Sequence, residues 1–238
     1  MNITIENIKS ATAKLPVAVF CMDGRMRPNN SELRPFIGLA GSGVLWDDEY
    51  VALFVQKLKD AKIDTSLITV TWHEFCGACN VFKSKNPNDN RSQNEIAQWG
   101  AERLATALGS VKPILKVGWS ENCDIAAMGN PDHHSEPAII IDGTGKLDTE
   151  KIDLDNAFLL SHAYAPDGDW MQQECDIALN IAMGEHGPGK EHFTQNPMPV
   201  YIIGNDKEQA EHNHEILSHV FENHKTQINP IKLAISAK

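Results

Sequence analysis

Short apolar runs rich in β-branched residues alternate along this chain with segments whose apolar residues recur every three or four positions. The runs predict six buried strands, at 16–23, 66–72, 114–118, 138–141, 158–161 and 200–203. The recurring segments predict helices at 47–61, 92–108, 169–183 and 207–223. This alternation predicts an α/β fold, with a mainly parallel β-sheet flanked by helices.

The composition is that of an ordinary globular protein. The chain has 238 residues, of which 42% are hydrophobic, enough to bury a sizeable core. No internal sequence repeat or clear linker is apparent, so we expect a single α/β domain over 1–238. Segments rich in Pro, Asn and Gly predict long surface loops at 86–90, 129–134 and 184–199.

Charge and cysteine content restrict the partners and the compartment. Lys and Arg number 21 against 32 Asp and Glu, a net charge of −11 that argues against a nucleic-acid partner. The apolar runs are too short to span a membrane, and Met1–Ser10 lacks the apolar core of a secretory signal. Five cysteines are an odd number and favour a reducing compartment, so we expect a cytoplasmic protein.

The first two predicted strands bring three metal-binding residue types together. The first strand ends at Cys21, and the chain returns through a helix to a strand that ends just before His73, with Cys76 close behind. A right-handed β–α–β crossover places the carboxyl ends of both strands on one side of the sheet, where ligands bind. Two thiolates and an imidazole favour zinc, and three protein ligands leave a fourth position for water.

Asp23 and Arg25 follow Cys21 at spacings of two and four. Even positions on an extended segment share a side, so Asp23 is expected within reach of the metal, with Arg25 as its partner. The carboxylate could accept a hydrogen bond from a metal-bound hydroxide, or it could occupy the fourth coordination position. A surface ion pair at the strand end is a third interpretation.

These residues resemble the motif of the β-class carbonic anhydrases, Cys-x-Asp-x-Arg followed some fifty to sixty residues later by His-x-x-Cys-Gly. The chain has Cys21-Met-Asp23-Gly-Arg25 and His73-Glu-Phe-Cys76-Gly77, and Gly38-Leu-Ala-Gly41 is similar to the family's Asn-Ala-Gly turn. The resemblance covers roughly residues 17–80. Leu39 stands where the family usually has Asn, and beyond about residue 110 the chain follows no usual family pattern. We therefore divide it into a metal-site half, 17–110, and a divergent half, 111–238.

The resemblance implies zinc-dependent reversible hydration of carbon dioxide to bicarbonate by a zinc-bound hydroxide. Cys21, His73 and Cys76 would be the zinc ligands, and Asp23 with Arg25 the catalytic pair that gates the fourth position and orients the hydroxide. It also implies a homodimer or higher homo-oligomer with the active-site cleft between subunits. Two alternatives stay open: a zinc hydrolase of carbonyl sulfide or carbon disulfide, and a non-catalytic metal-binding relative.

The remaining cysteines and histidines carry weaker predictions. Cys21 and Cys76 could themselves be core residues, and Cys79, which completes a Cys-x-x-Cys, favours packing over redox chemistry because no thioredoxin-like context accompanies it. Cys123 and Cys175 lack a second cysteine or histidine at a spacing typical of a metal or redox site, and we expect them to be core or inert surface residues. Among the histidines, His133 and His134 could shuttle protons or simply lie in a solvated loop, and His186 and His192 could form a lid.

Overall fold

The computed structural model describes residues 15–23, 33, 35–118, 137–147, 157–184, 188–229 and 231–235. Within these ranges eight strands form two four-stranded sheets, and every strand pair within them is parallel. The first sheet contains β1 (Ala18–Cys21), β2 (Phe36–Leu39), β3 (Thr69–Trp72) and β4 (Leu115–Lys116). The second contains β5 (Ala138–Asp142), β6 (Ala157–Leu160), β7 (Val200–Gly204) and β8 (Lys232–Ile235). The predicted α/β fold is confirmed.

Six helices flank the sheets within the described ranges: α1 (Asp48–Asp60), α2 (Gly77–Lys85), α3 (Gln93–Leu108), α4 (Gly168–Met183), α5 (Lys190–Gln195) and α6 (Lys207–Asn223). The four predicted helices are confirmed to within one residue at each end, because their caps are encoded locally. The Asp47 carboxylate caps α1, Ser92 and Glu95 form a capping box at α3, and Gly109 ends α3 in the left-handed conformation. Among the described helices, none is both long and apolar enough to cross a membrane.

Several elements differ from the sequence-based expectation. The strands β2 and β8 and the helix α2 were not predicted, and α5 lies inside the segment 184–199 that was predicted to be a loop. The segment 86–90 is a loop as predicted, and 129–134 lies outside the described residues.

The two sheets have the same strand order. The first is arranged β2-β1-β3-β4 and the second β6-β5-β7-β8, so β5–β8 repeat the arrangement of β1–β4. The prediction that the strands ending near Cys21 and His73 have their carboxyl ends on one side of the sheet is confirmed, because β1 and β3 are parallel and pair directly. The chain therefore contains a repeat of architecture that its sequence does not show.

The two halves meet along β2 and β6. Gly38 N–H donates to the Ser161 hydroxyl at 2.9 Å, and Ser161 N–H donates to the Gly38 carbonyl at 3.1 Å. A Cβ atom at position 38 would lie only 2.2 Å from the Leu159 carbonyl oxygen, so glycine is required for this close approach. One cluster of buried apolar side chains extends through both halves, from Phe54 in α1 to Leu179 in α4.

Candidate metal centre

Cys21, His73 and Cys76 lie together and are buried. Cys21 is the last residue of β1, His73 follows β3, and Cys76 is the N-cap of α2. Their candidate ligand atoms all lie within 4.8 Å of one another, and the two Sγ atoms are 3.9 Å apart. Two ligands about 2.3 Å from a tetrahedral zinc ion lie roughly 3.8 Å apart, so the two thiols are spaced as a zinc pair requires. The predicted convergence is confirmed, and zinc binding stays a prediction.

His73 presents one ring nitrogen that is suited to a metal. Its Nδ1 lies 2.7 Å from the Glu74 carbonyl oxygen, which accepts a hydrogen bond from Nδ1–H and leaves the lone pair on Nε2. Nε2 is buried and has no hydrogen-bond partner among the described residues. A buried imidazole nitrogen held in this tautomer is the usual arrangement of a metal-ligating histidine.

The loop between His73 and Cys76 is held at several points. Phe75 adopts the left-handed conformation, with φ of 57°, which is unusual for a bulky residue. The Glu74 carboxylate accepts hydrogen bonds from Lys116 Nζ at 2.7 Å and Asn94 Nδ2 at 3.3 Å. In addition, Gln93 Nε2 donates to the Cys76 carbonyl at 2.8 Å. Contacts to β4 and α3 therefore keep the two ligands of this loop in place.

The site changes the proton affinity of its own groups. The hydrogen bond to Cys76 and burial raise the pKa of the Cys21 thiol well above its usual value. The hydrogen bond to Cys21 lowers the pKa of Cys76, but contact with Cys79 and burial outweigh it and raise that pKa as well. Burial lowers the pKa of His73, yet its contact with Cys21, the charge of Asp23 and the hydrogen bond to the Glu74 carbonyl raise it overall. A metal ion must therefore displace protons when it binds here.

Asp23 lies beside this group and is not a surface residue. The residue is only 7% exposed, and the charge of its carboxylate raises the pKa of the His73 imidazole. Its backbone forms an antiparallel bridge with Phe158 of β6, next to a 2.7 Å hydrogen bond from Leu159 N–H to the Met22 carbonyl. The second half thus positions Asp23. Arg25, its expected partner, lies outside the described residues.

The equivalent positions of the second half carry no such ligand set. Cys21 and Ile141 occupy the same register position in their sheets, since each pairs with the last residue of the neighbouring strand. By the same register, Ile203 stands in place of His73. Asp206 stands in place of Cys76, and like it forms the N-cap of the following helix. The architecture is repeated without the metal-binding chemistry.

Sequence reasoning missed a buried carboxylate, Glu174 in α4. It is 2% exposed, accepts a hydrogen bond from Ala40 N–H at 2.7 Å and another from Trp46 Nε1–H at 3.0 Å. Burial raises its pKa to about 7. Its position contained the clue, because Glu174 lies four residues from both Trp170 and Ala178 on the apolar face of its helix.

The other candidates do not join the centre. Cys79 and Cys175 are buried and free, in keeping with packing, and His192 packs edge-on against Phe193 in α5. The predictions for Cys123, His133, His134 and His186 concern positions outside the described residues.

No family model, no curated protein and no solved structure matches this chain.

Proposed function

We propose that the chain is a zinc enzyme that catalyses the reversible hydration of carbon dioxide to bicarbonate, as the β-class carbonic anhydrases do. The observation that carries this proposal is the buried group of Cys21, His73 and Cys76, with the carboxylate of Asp23 beside it. Two soft thiolates and one imidazole favour zinc over magnesium or calcium. The orphaned Nε2 of His73 and the 3.9 Å spacing of the thiols support the same assignment.

When bound, zinc would lower the pKa of a water ligand to about 7 and so supply hydroxide at neutral pH. The chain's own residues would then orient the reactants. The Asp23 carboxylate would accept a hydrogen bond from the attacking water and direct its lone pair, and Arg25 would hold that carboxylate by its charge. Carbon dioxide is uncharged, so apolar surroundings suit it. Leu39 and Phe158, which pair with Cys21 and Asp23, are buried and apolar.

The second half would provide, within one chain, the wall of the active-site cleft that the resemblance assigns to a partner subunit. The support is that β6 pairs with the segment carrying Asp23, through Phe158 and Leu159. The homo-oligomer expected from the resemblance stays a prediction.

The test is metal analysis combined with stopped-flow carbon dioxide hydration on the purified chain. We expect about one zinc per chain and activity that a strong chelator removes. Cys76→Ser should lose both zinc and activity, because the hydroxyl replaces a thiolate ligand. Cys175→Ser is the matched control, since Cys175 is also buried and is not one of the grouped candidate ligands, and it should retain both.

The same preparation distinguishes the alternatives. Zinc-dependent turnover of carbonyl sulfide or carbon disulfide without turnover of carbon dioxide would replace the proposed substrate. Full zinc retention in Cys76→Ser would overturn the ligand assignment, and tight zinc binding without any of these activities would leave a metal-binding protein that is not an enzyme.

A further inference from the structure

A tight turn formed by residues 40–43 lies between β2 and the metal centre. Gly41 and Ser42 both adopt left-handed backbone conformations, with φ of 52° and 54°, and all four residues are buried. A non-glycine residue in this conformation persists only where its surroundings hold it. The position of this turn therefore depends on the contacts around it.

The turn packs directly on a metal ligand. A Cβ atom at Gly41 would lie 3.3 Å from the Sγ of Cys76 and 2.9 Å from the Cβ of Ala78 in α2. The backbone at Gly41 is thus one wall of the space that holds the Cys76 thiol. Any displacement of the turn changes the room and the surroundings of that sulfur.

Contacts from the first half hold the middle and the end of the turn. The Ser42 hydroxyl donates to the Thr71 carbonyl at 2.7 Å, in the strand that leads to His73. The Arg103 guanidinium donates to the carbonyls of Gly43 at 3.2 Å and Trp46 at 2.5 Å. Neither contact reaches the start of the turn.

Glu174 of the second half binds the start of the turn and also binds Trp46, which lies beyond the end of the turn. One carboxylate oxygen accepts from Ala40 N–H, where the turn begins, and the other from the indole of Trp46, three residues after it ends. Both oxygens face donors, so a carboxylate fits this position and an amide does not, since glutamine has one acceptor oxygen and would turn its NH₂ group toward an N–H. Glu174 makes no ion pair with any described residue, so the two hydrogen bonds from Ala40 and Trp46 are the contacts that offset the burial of its carboxyl group.

We propose that Glu174 is a positioning residue of the metal centre, through which the second half sets the turn that packs against Cys76. The inference rests on the proposed zinc site, and it adds a structural link from the half without ligands to the half that has them. Groups that orient metal ligands from outside the coordination shell typically change metal affinity 10- to 100-fold when they are removed.

The test is zinc affinity, measured by competition with a chromogenic chelator on folded protein. Glu174→Gln should weaken zinc binding roughly 10- to 100-fold. Trp46→Phe keeps an aromatic ring but removes the indole N–H donor, and we expect a smaller loss in the same direction. The control is Asp142→Asn, because Asp142 is the other described carboxylate of the second half that is fully buried and hydrogen-bonded to N–H groups, and it does not touch the turn.

A cobalt-substituted sample adds a readout that a merely structural role would not change. The thiolate-to-cobalt absorption band should shift in Glu174→Gln and Trp46→Phe and stay in place in Asp142→Asn. Trp46→Phe keeps the proposal testable if Glu174→Gln does not fold.

The outcomes separate this inference from the proposed function. Wild-type zinc binding without carbon dioxide turnover, with weakened binding in Glu174→Gln, would overturn the function and support the inference. Active wild type, with zinc affinity and cobalt spectrum equal in wild type, Glu174→Gln and Trp46→Phe, would overturn the inference and leave the function standing. A wild type that binds no zinc overturns both.

Discussion

The two halves of this chain share their strand order but differ at the ends of their strands. In the first half, Cys21 and His73 stand at the ends of the two central strands; in the second, Ile141 and Ile203 occupy the same register positions. The comparison separates two contributions of a fold: the topology decides which residues meet, and the side chains at those positions decide what they can do.

The two strand ends also differ in how completely their polar groups are satisfied. In the second half, the buried Asp142 carboxylate accepts hydrogen bonds from the backbone N–H groups of Thr144 and Gly145, and Tyr164 donates to the Gly145 carbonyl. In the first half, Nε2 of His73 has no partner among the described residues. The Asp142 carboxylate is thus satisfied within the second half, whereas Nε2 of His73 in the first half is left for a ligand. Elsewhere in the second half, both ring nitrogens of His162 are also buried without a partner among the described residues.

The largest expected effect comes from truncating the same register position in each half. Cys21→Ala should abolish zinc binding and activity at little cost in the stability of the metal-free protein, because it removes a ligand and only one heavy atom. Ile141→Ala should keep zinc and activity but lower the free energy of unfolding by about 2–5 kcal/mol, the usual cost of such a cavity. Metal analysis and urea unfolding of both variants check this, and metal loss from Ile141→Ala would contradict the division between the halves.

The next effect concerns the carboxylate beside each set of strand ends. Asp23→Asn should keep the zinc and the fold but lose about 10²- to 10⁴-fold in turnover, the range for a positioned acid–base group. Asp142→Asn should lose stability and keep its turnover. Stopped-flow rates compared with thermal unfolding measure both quantities.

The pH–rate profile of Asp23→Asn, Arg25→Ala and wild type distinguishes the two roles left open for Asp23. If the carboxylate occupies the fourth metal position, wild-type activity should rise with pH and Arg25→Ala should stay inactive. Three superimposable profiles would show that neither residue takes part.

A further prediction concerns protons released on metal uptake. Because the pKa values of the Cys21 and Cys76 thiols are raised, both should be neutral thiols in the metal-free protein at pH 7. Zinc should then release at least two protons, one from each thiol, with a further contribution from His73 because its pKa is raised as well, and it should bind at least about 100-fold more tightly for each pH unit gained. Calorimetry in two buffers of different ionisation enthalpy counts the protons, and a count of zero would contradict the raised pKa values.

The smallest expected effect is on stability between pH 4.5 and 7. The pKa of Glu174 is raised to about 7 by burial, so the folded state holds this proton more tightly and stability falls as pH rises from 4.5 to 7. Burial lowers the pKa of His162 from 6.5 to about 3, so its contribution has the opposite sign and stability is lost as pH falls below 6.5. The two trends oppose each other between pH 4.5 and 6.5.

Glu174→Gln removes one of the two trends. The variant should gain stability with rising pH across this interval by up to about 1.4 kcal/mol per unit relative to wild type. Urea unfolding at pH 5, 6 and 6.5 gives the slopes, with His162→Phe as the variant expected to change them in the other direction. Equal slopes in wild type and both variants would contradict the burial effects.

Local patterns were enough to predict the four long helices and the meeting of Cys21, His73 and Cys76. Caps such as Asp47 and Gly109 are local, and the crossover rule brings β1 and β3 side by side whatever lies between them. The strand Phe36–Leu39 was missed because four residues, one of them glycine, give no clear alternation.

The long-range contacts could not be predicted from one sequence. The contact of Gly38 with Leu159 joins residues 121 positions apart in sequence, and no local sequence pattern near either residue predicts it. For Glu174, helix periodicity places the residue on the apolar face, but the donors that explain its burial, Ala40 N–H and Trp46 Nε1–H, lie 134 and 128 positions away in sequence.

The contact between Gly38 and Ser161 also bears on whether the two halves stay associated when the protein is diluted. Two separate subunits part when their concentration falls below their dissociation constant, whereas two halves linked by one chain see each other at an effective concentration set by the linker. The wall that β6 supplies to the segment carrying Asp23 is therefore present in a single molecule at any concentration. Weakening the join between the halves would be a loss that adding more protein could not restore.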